Sequence, residues 1–377
     1  MTNRYRAAFI RGGTSKALVF QAQDLPADKA EWDALFLRAI GSPDRYGRQL
    51  NGMGGGVSSL SKVCIVSPPS VEGADIDYTF VQVQVKEAKV DYSGNCGNMS
   101  SAIGPYAVDE GLVPMPSGRE AVVRIHNTNT RKIIAATFPV ESGHSVEIGD
   151  LVIPGVEGAG APVRLDFLAP GGASTGRLLP SGNVVDTLTV PGRGAVTVSM
   201  VDAANACVFV DAADFGLQGT ELPDAFDAQP ELMKALNDLR LQASVAMGIA
   251  ASIEAAALNR LIPFIALVSA PQESCTLSGE LIPADGADLV VRMLSNGQPH
   301  RALPLTGALC TAVAAQIAGS VPNRLLRPGR NGSLRLAMPS GILTVDAAVE
   351  HKPEGWYAER GSFFRTTRRL FDGQVYA

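Results

Sequence analysis

Short apolar runs separated by turns rich in glycine and proline dominate this chain. Strand-type patterns are clearest at residues 78–90, 121–125, 133–140, 195–201, 289–293 and 334–336. Helical composition marks residues 28–40 and 229–259, the second segment being rich in alanine, leucine and methionine. The pattern predicts a mixed α+β protein with many strands and few helices.

An internal repeat divides the chain. Residues 17–25 resemble 207–215, and residues 62–69 resemble 264–271; the turn at Cys96 resembles the one at Thr306, ahead of a predicted helix over 310–318. The three matches keep their order, with offsets that grow from about 190 to about 210 residues, which indicates a duplication. We therefore predict two pseudo-symmetric lobes, 1–185 and 186–377, each with a sheet rolled around a central helix.

Cys96 lies in a turn of small and polar residues. Gly94 and Gly97 allow a tight turn, while Asn95 and Asn98 tolerate left-handed conformations and offer side-chain amides. The N–H groups of the helix predicted to follow would favour a carboxylate or a thiolate in front of Cys96. The alternative is a buried structural cysteine in a glycine-rich turn.

A second glycine-rich loop, Asn51-Gly-Met-Gly-Gly-Gly56, leads into the apolar run that begins with Lys62. Consecutive glycines indicate close approach of a ligand to the backbone, so we expect Met53, Gly54 and Gly55 to line a site. A nucleotide-binding P-loop is excluded because such a loop follows a strand and opens a helix, whereas Lys62 opens a strand. Lys62 is either a surface lysine or a partly buried one, and burial favours the neutral amine.

A third loop interrupts two apolar runs at Arg11-Gly-Gly-Thr-Ser15. Arginine with neighbouring hydroxyl groups suits a carboxylate, which the guanidinium binds bidentately while Thr14 or Ser15 donates alongside. The same residues also fit a plain hairpin turn.

The duplication predicts a cleft between the lobes that receives two helix N-termini, which suits a substrate with two or three carboxylates. Only the first lobe carries ionisable groups there, because Phe264 stands opposite Lys62 and Thr306 stands opposite Cys96. The second lobe would contribute these substrate-binding candidates: Asn205, Thr306, Gly307 and Ala308.

Composition narrows the function classes. Charged residues make up 18% of the 377 residues, the formal net charge is -5 and no basic cluster is present, which argues against nucleic acid as a partner. No secretion signal and no apolar window of about 18 residues is found, so we expect a soluble cytoplasmic protein that does not bind membranes. The five cysteines are widely spaced and the four histidines scattered, so we expect reduced thiols and no metal site. The sequence does not specify the oligomeric state and is compatible with a homo-oligomer.

The chain resembles the PrpF family of 2-methylaconitate cis-trans isomerases and their allylic isomerase and oxalomesaconate tautomerase relatives. The motifs that carry the resemblance are Arg11-Gly-Gly-Thr-Ser-Lys16, the loop 51–56 with Ser61-Lys62-Val63, Gly94-Asn-Cys-Gly-Asn98 and Arg365-Thr-Thr-Arg-Arg369. The resemblance implies a diaminopimelate-epimerase-like fold, no organic cofactor, no metal and a small di- or tricarboxylate substrate. It also implies that Lys62 and Cys96 are the catalytic residues.

Three functions follow as hypotheses. An allylic or cis-trans isomerase needs one base that removes a carbon-bound proton and returns it, and Lys62 fits that role with Cys96 as second acid or polar wall. An amino-acid racemase needs a second thiol, but the second lobe has Thr306 where that cysteine would stand. A non-catalytic carboxylate-binding protein would need the loops without Lys62 and Cys96.

Overall fold

The computed structural model describes residues 3–92, 96–114, 117–259, 262–295, 297–329 and 331–377. Its strands are β1 (Arg4–Gly12), β2 (Ser15–Gln21), β3 (Lys62–Ser67), β4 (Ile76–Val83), β5 (Val90–Asp91), β6 (Glu120–Asn127), β7 (Lys132–Glu141), β8 (His144–Ser145), β9 (Leu151–Val152), β10 (Ala159–Gly160), β11 (Val163–Leu168), β12 (Asp186–Val190), β13 (Gly194–Ala203), β14 (Asn205–Asp211), β15 (Phe264–Ser269), β16 (Ser274–Cys275), β17 (Leu281–Ile282), β18 (Leu289–Ser295), β19 (Gln298–Pro299), β20 (Leu334–Met338), β21 (Gly341–Lys352), β22 (Gly355–Arg365) and β23 (Thr367–Tyr376). Its helices are α1 (Trp32–Ile40), α2 (Gly97–Asp109), α3 (Pro223–Asp227), α4 (Pro230–Ala246), α5 (Ile253–Leu258), α6 (Leu305–Gln316) and α7 (Val321–Leu325).

The chain forms two compact units. The first comprises Met1–Asp166 together with the C-terminal Phe364–Ala377, and the second comprises Phe167–Phe363. The C-terminal segment belongs to the first unit because β23 pairs antiparallel with β1.

The first unit is a mixed sheet rolled around α2. The strand order β23-β1-β2-β3-β4-β6-β7 combines antiparallel pairs with two parallel ones, β2 with β3 and β4 with β6. Every residue of α2 from Met99 to Val108 is buried, and the helix contacts strands along the whole sheet. A helix that is buried on all sides requires such a wrapping sheet, since a single flat layer would leave one face in water.

The second unit repeats this topology around α6. Its strand order β13-β14-β15-β18-β20-β21 has the same sequence of parallel and antiparallel pairs as β1-β2-β3-β4-β6-β7. Ala17 pairs with Lys62 in the first unit and Cys207 with Phe264 in the second, so the two sequence repeats also share their register. The predicted α+β fold with two pseudo-symmetric halves is confirmed. The division of the chain at residue 185 stays a prediction.

Several element predictions need correction at their ends. The helix predicted over 229–259 is two helices, because Gly248 adopts a left-handed φ of 72° just after α4. The strand predicted over 78–90 ends at Val83, and the helix predicted from residue 310 already begins at Leu305.

The position that Lys62 holds in the first unit is apolar in the second. Phe264 is buried there, and its ring centroid lies 5.9 Å from that of His300. His300 Nε2 lies 2.7 Å from the hydroxyl of Ser295, and burial lowers the pKa of His300 below its ordinary value of 6.5. This part of the second unit is therefore stabilised by a neutral histidine.

We expect the stability of the protein to fall on mild acidification through His300. Because the folded-state pKa is lowered, the unfolded chain takes up the proton first, so the contribution present above about pH 6.5 is lost as the pH falls through that value. Urea unfolding at neutral pH and at about pH 5.5 should show a smaller pH-dependent loss in His300→Gln than in the wild type. The exposed His351→Gln is the control; an equal loss in all three proteins would contradict this role.

Gly12 sets the spacing between β1 and the start of α2. A Cβ atom at Gly12 would lie 2.6 Å from the carbonyl oxygen of Asn98 and 3.2 Å from the Cα atom of Met99. Both atoms belong to the helix backbone, which cannot rotate away. The hairpin and the helix start can therefore contact each other only through a residue without a side chain.

Gly12→Ala should lower the free energy of unfolding by about 1–3 kcal/mol, the cost of overpacking a rigid contact. Gly373→Ala is the matched control, since Gly373 also lies in a strand and a Cβ atom there meets nothing within 4 Å. Its unfolding free energy should stay within about 0.5 kcal/mol of wild type. Equal stabilities of the two variants in urea denaturation would show that α2 can shift away from the hairpin.

Candidate active site

The loop with Arg11 is the two-residue hairpin between β1 and β2. Gly12 pairs with Ser15, which leaves Gly13 and Thr14 as the turn, with Gly13 at a φ of 53°. Arg11 donates from Nη1 to the carbonyl oxygens of Gly13 (3.0 Å) and Thr366 (2.9 Å). Burial lowers the pKa of Arg11, and the nearby Arg368 lowers it further. The guanidinium therefore binds the turn to the C-terminal segment.

Asn98 connects this hairpin to the start of α2. Its Nδ2 donates to Thr14 Oγ1 at 3.2 Å, and its Oδ1 accepts from Arg365 Nε at 2.9 Å. Arg365 is only 7% exposed, and burial lowers its pKa to about 10, with Cys96 acting in the opposite direction. A guanidinium with this pKa is still a cation at neutral pH. The hairpin and the helix start are thus joined around a buried positive charge.

Cys96 is the N-cap residue of α2, and its side chain makes no capping hydrogen bond. Its carbonyl oxygen accepts from the backbone N–H and the hydroxyl of Ser100. The half-buried thiol lies within electrostatic range of Arg365. Gly97 opens the helix, whereas Asn95 and Gly94 lie outside the described residues.

Lys62 is the first residue of β3 and is 7% exposed. Its Nζ donates to Gln82 Oε1 at 2.6 Å and lies 5.0 Å from the centroid of the Phe80 ring. Among the residues that the structure describes, no carboxylate pairs with this amine. The surface-lysine interpretation is therefore wrong, and the amine is a candidate base.

Gln82 is itself held in place by the backbone. Its Nε2 donates to the carbonyl oxygens of Ser61 (3.0 Å), Ser58 (3.1 Å) and Val83 (3.3 Å). Two of these carbonyls, those of Ser58 and Ser61, lie in the segment that joins the glycine-rich loop to β3. That segment therefore fixes the residue that holds Lys62.

The glycine-rich loop is built on Gln49, which is 1% exposed. The Oε1 atom of Gln49 accepts from Gly56 N (2.8 Å) and Ser61 Oγ (2.7 Å), while its Nε2 donates to Ser42 Oγ. A side chain at Gly54 would collide with Gln49. The close approach at this glycine is therefore to the chain itself.

The other two candidates in this loop also contact the protein. Met53 packs against the core of the first unit, and a Cβ atom at Gly55 would lie 2.6 Å from Leu60 Cδ1. Their role in substrate binding stays a prediction.

Cys64 lies within electrostatic range of both Lys62 and Cys96. It follows Lys62 by two residues on β3. Burial raises the pKa of Cys64 well above its ordinary value, and Cys96 raises it further. Cys64 is therefore a neutral thiol beside the two candidate catalytic residues.

The candidates of the second unit lie at the starts of β14 and α6. Asn205 opens β14, and Thr306 is exposed in the first turn of α6. Gly307 has no room for a side chain beside Met293, and Ala308 donates its N–H to the carbonyl oxygen of Pro304. Substrate binding by these residues, and the opposition of Thr306 to Cys96, stay predictions.

Two residues of the site are absent from the sequence-based candidates. Gln82 could have been found only through the register that pairs it with Lys62 across β3 and β4. Arg365 was noted as part of a motif, but nothing near it in the sequence indicates its contact with Asn98, 267 positions away.

Over the described ranges, no group of three or more histidine, cysteine or acidic side chains is placed to hold a metal ion. Within the same residues, no helix is long and apolar enough to cross a membrane.

Two isomerases are similar to the chain over nearly its whole length. The 3-methylitaconate isomerase of Eubacterium barkeri is 39% identical over 376 residues, which is 99% of this chain and 97% of that protein. The 2-methyl-aconitate isomerase of Cupriavidus necator is 38% identical over 379 residues, with 98% of this chain and 96% of that protein covered.

The structure is also similar to a solved one. The crystal structure of methylitaconate-delta-isomerase superposes with a TM-score of 0.92 at 39% identity, covering 100% of this chain and 96% of that one. The family model described as PrpF protein matches residues 2–377. The chain therefore belongs to the PrpF family.

Proposed function

We propose that this protein is a cofactor-independent isomerase that shifts a proton and a double bond in an unsaturated di- or tricarboxylate. The relatives are isomerases by name, and one acts on methylitaconate while the other acts on methylaconitate. The observation that carries the proposal is the buried Lys62 amine with its neutral acceptor Gln82.

The substrate carboxylate is bound at the start of α2. The first N–H groups of a helix have no intrahelical partner, and the helix dipole favours an anion there. Arg365 adds a buried cation beside Asn98 at this point. Charge-assisted hydrogen bonds from such groups are about twice as strong as neutral ones, so one carboxylate is fixed in orientation.

Lys62 transfers the proton. The neutral amine removes a proton from the carbon next to the conjugated system, the C–H electron pair enters that system, and a dienolate forms. The same ammonium group then returns the proton to the far end of the allyl unit, so the double bond moves and the amine is regenerated. Fixed donors at the start of α2 stabilise the dienolate charge.

Racemase chemistry is disfavoured by the second unit. A two-base racemase needs a second thiol at the start of α6, where this chain has Thr306. Cys310 lies within the helix, is buried, and donates to the carbonyl oxygen of Val201 at 3.4 Å. The Cys310 thiol is therefore hydrogen-bonded in the core and does not supply the second base.

The activity can be tested by incubating the purified protein with a set of unsaturated di- and tricarboxylic acids in deuterated water. NMR should show a shifted double bond in at least one acid, with any deuterium confined to the two ends of the allyl unit, because the Lys62 ammonium returns either the original proton or one exchanged with solvent. Exchange at a single stereogenic carbon without a shifted double bond would instead indicate an epimerase, and an unmoved double bond in every acid would contradict the proposal.

Lys62→Ala should abolish isomerisation because the variant has no amine beside Gln82 to accept the substrate proton. We expect turnover below about one tenth of wild type, a loss of more than about 1.4 kcal/mol in transition-state stabilisation. Lys132→Ala, which removes an exposed lysine from the start of β7, should retain full activity. A folded Lys62→Ala protein with turnover near wild type would show that the base has been misassigned.

Cys96→Ser should bind substrate and retain more activity than Lys62→Ala. Arg365 and the backbone of α2 hold the carboxylate whatever side chain occupies position 96. Calorimetry should therefore give a dissociation constant close to that of wild type. Loss of binding would contradict this arrangement, and complete loss of turnover would make Cys96 an essential acid or base.

A further inference from the structure

We propose that Gln82 is the positioning residue of the base: it holds the Lys62 amine in a fixed direction while leaving it able to accept a proton. The inference rests on the proposed function of Lys62. It concerns a residue that contacts the base rather than the substrate.

The orientation of the Gln82 amide follows from its partners. One end faces three backbone carbonyl oxygens, those of Ser58, Ser61 and Val83, which can only accept hydrogen bonds. That end must be the NH₂ group, so the oxygen faces Lys62 at 2.6 Å. Gln82 therefore presents an acceptor to Lys62 and cannot rotate without losing its own bonds.

A fixed acceptor matters for a lysine in particular. The flexible four-carbon side chain loses rotamer freedom when its amine is fixed, and a misplaced base transfers protons poorly. The bond to Gln82 and the contact with the Phe80 ring restrict the amine to one place. The nitrogen is then placed by the protein before substrate arrives.

The neutrality of the partner matters as well. A glutamate would form the same bond but would favour the ammonium form through its charge. Gln82 supplies the hydrogen-bond acceptor without that charge, which a base working near neutral pH requires.

The other groups around Lys62 do not replace this effect. Cys64 on the same strand is a neutral thiol, because burial raises its pKa. The paired residue on β2 is Ala17, and β4 contributes Phe80. Tyr78, whose hydroxyl lies 3.9 Å from the Cys64 sulfur, is also neutral because burial raises its pKa. Cys96 interacts electrostatically with Cys64 and with the buried cation Arg365.

The test compares Gln82→Glu with the wild type in kcat and KM across pH. The added carboxylate should move the acidic limb of the kcat profile upward by about one pH unit or more, so activity at neutral pH falls about tenfold or more and recovers in alkali. KM should change by less than about threefold, because the carboxylate-binding groups are untouched. Superposable wild-type and Gln82→Glu profiles would overturn the proposal.

Two further variants complete the comparison. Gln82→Met keeps the length of the side chain but offers the amine only a thioether, so kcat should fall at every pH without recovery in alkali. Gln84→Glu is the matched control, because it adds the same charge two residues further along and should leave the profile in place. An identical upward shift in Gln84→Glu would assign the effect to general charge rather than to the bond.

A measurement without substrate separates this proposal from the proposed function. Trace labelling with acetic anhydride, followed by mass spectrometry of the peptide containing Lys62, reports the fraction of free amine at each pH. In Gln82→Glu the labelling should begin at higher pH than in wild type. Unchanged labelling would overturn the role of Gln82 even if Lys62→Ala is inactive, while a shift with an active Lys62→Ala would reject only the function.

Discussion

The first unit is organised around the cost of burying an amine. An unpaired polar group in a protein interior costs several kcal/mol, and an amine paired with a carboxylate is held as an ammonium ion. Lys62 avoids both outcomes through one neutral hydrogen bond to Gln82. Gln82 in turn needs the carbonyl groups of Ser58 and Ser61, and Ser61 needs Gln49. The shape of the loop over 49–61 follows from this series of bonds.

The two units show how one fold carries the candidate base in one copy only. Both wrap a sheet of the same topology around a buried helix, and Lys62 and Phe264 occupy corresponding register positions. The second unit fills that position with an aromatic ring packed against His300. A ring requires no polar partner, so the second unit needs no counterpart of Gln82, and the corresponding strand end carries Ser295 bonded to His300.

Local patterns predicted the elements better than their ends or their distant partners. The repeat at 62–69 and 264–271 is visible in the sequence because both segments are buried apolar strands. The break between α4 and α5 was missed because a single glycine, Gly248, overrides a long stretch of helical composition. The pairing of β23 with β1 joins opposite ends of the chain, and no local periodicity specifies it.

The candidate site was predictable in the same way, since residues with unusual local contexts were found and distant partners were missed. Lys62 and Cys96 stand in unusual local contexts, which is why sequence alone singles them out. Gln82 and Arg365 stand in ordinary strands, and only the fold brings them to Lys62 and Asn98. The glycines that suggested a ligand at the loop also allow it to fold tightly over Gln49 and Leu60, and ligand binding there stays a prediction. The loop affects the candidate base Lys62 only indirectly, since it fixes the carbonyl groups that hold Gln82.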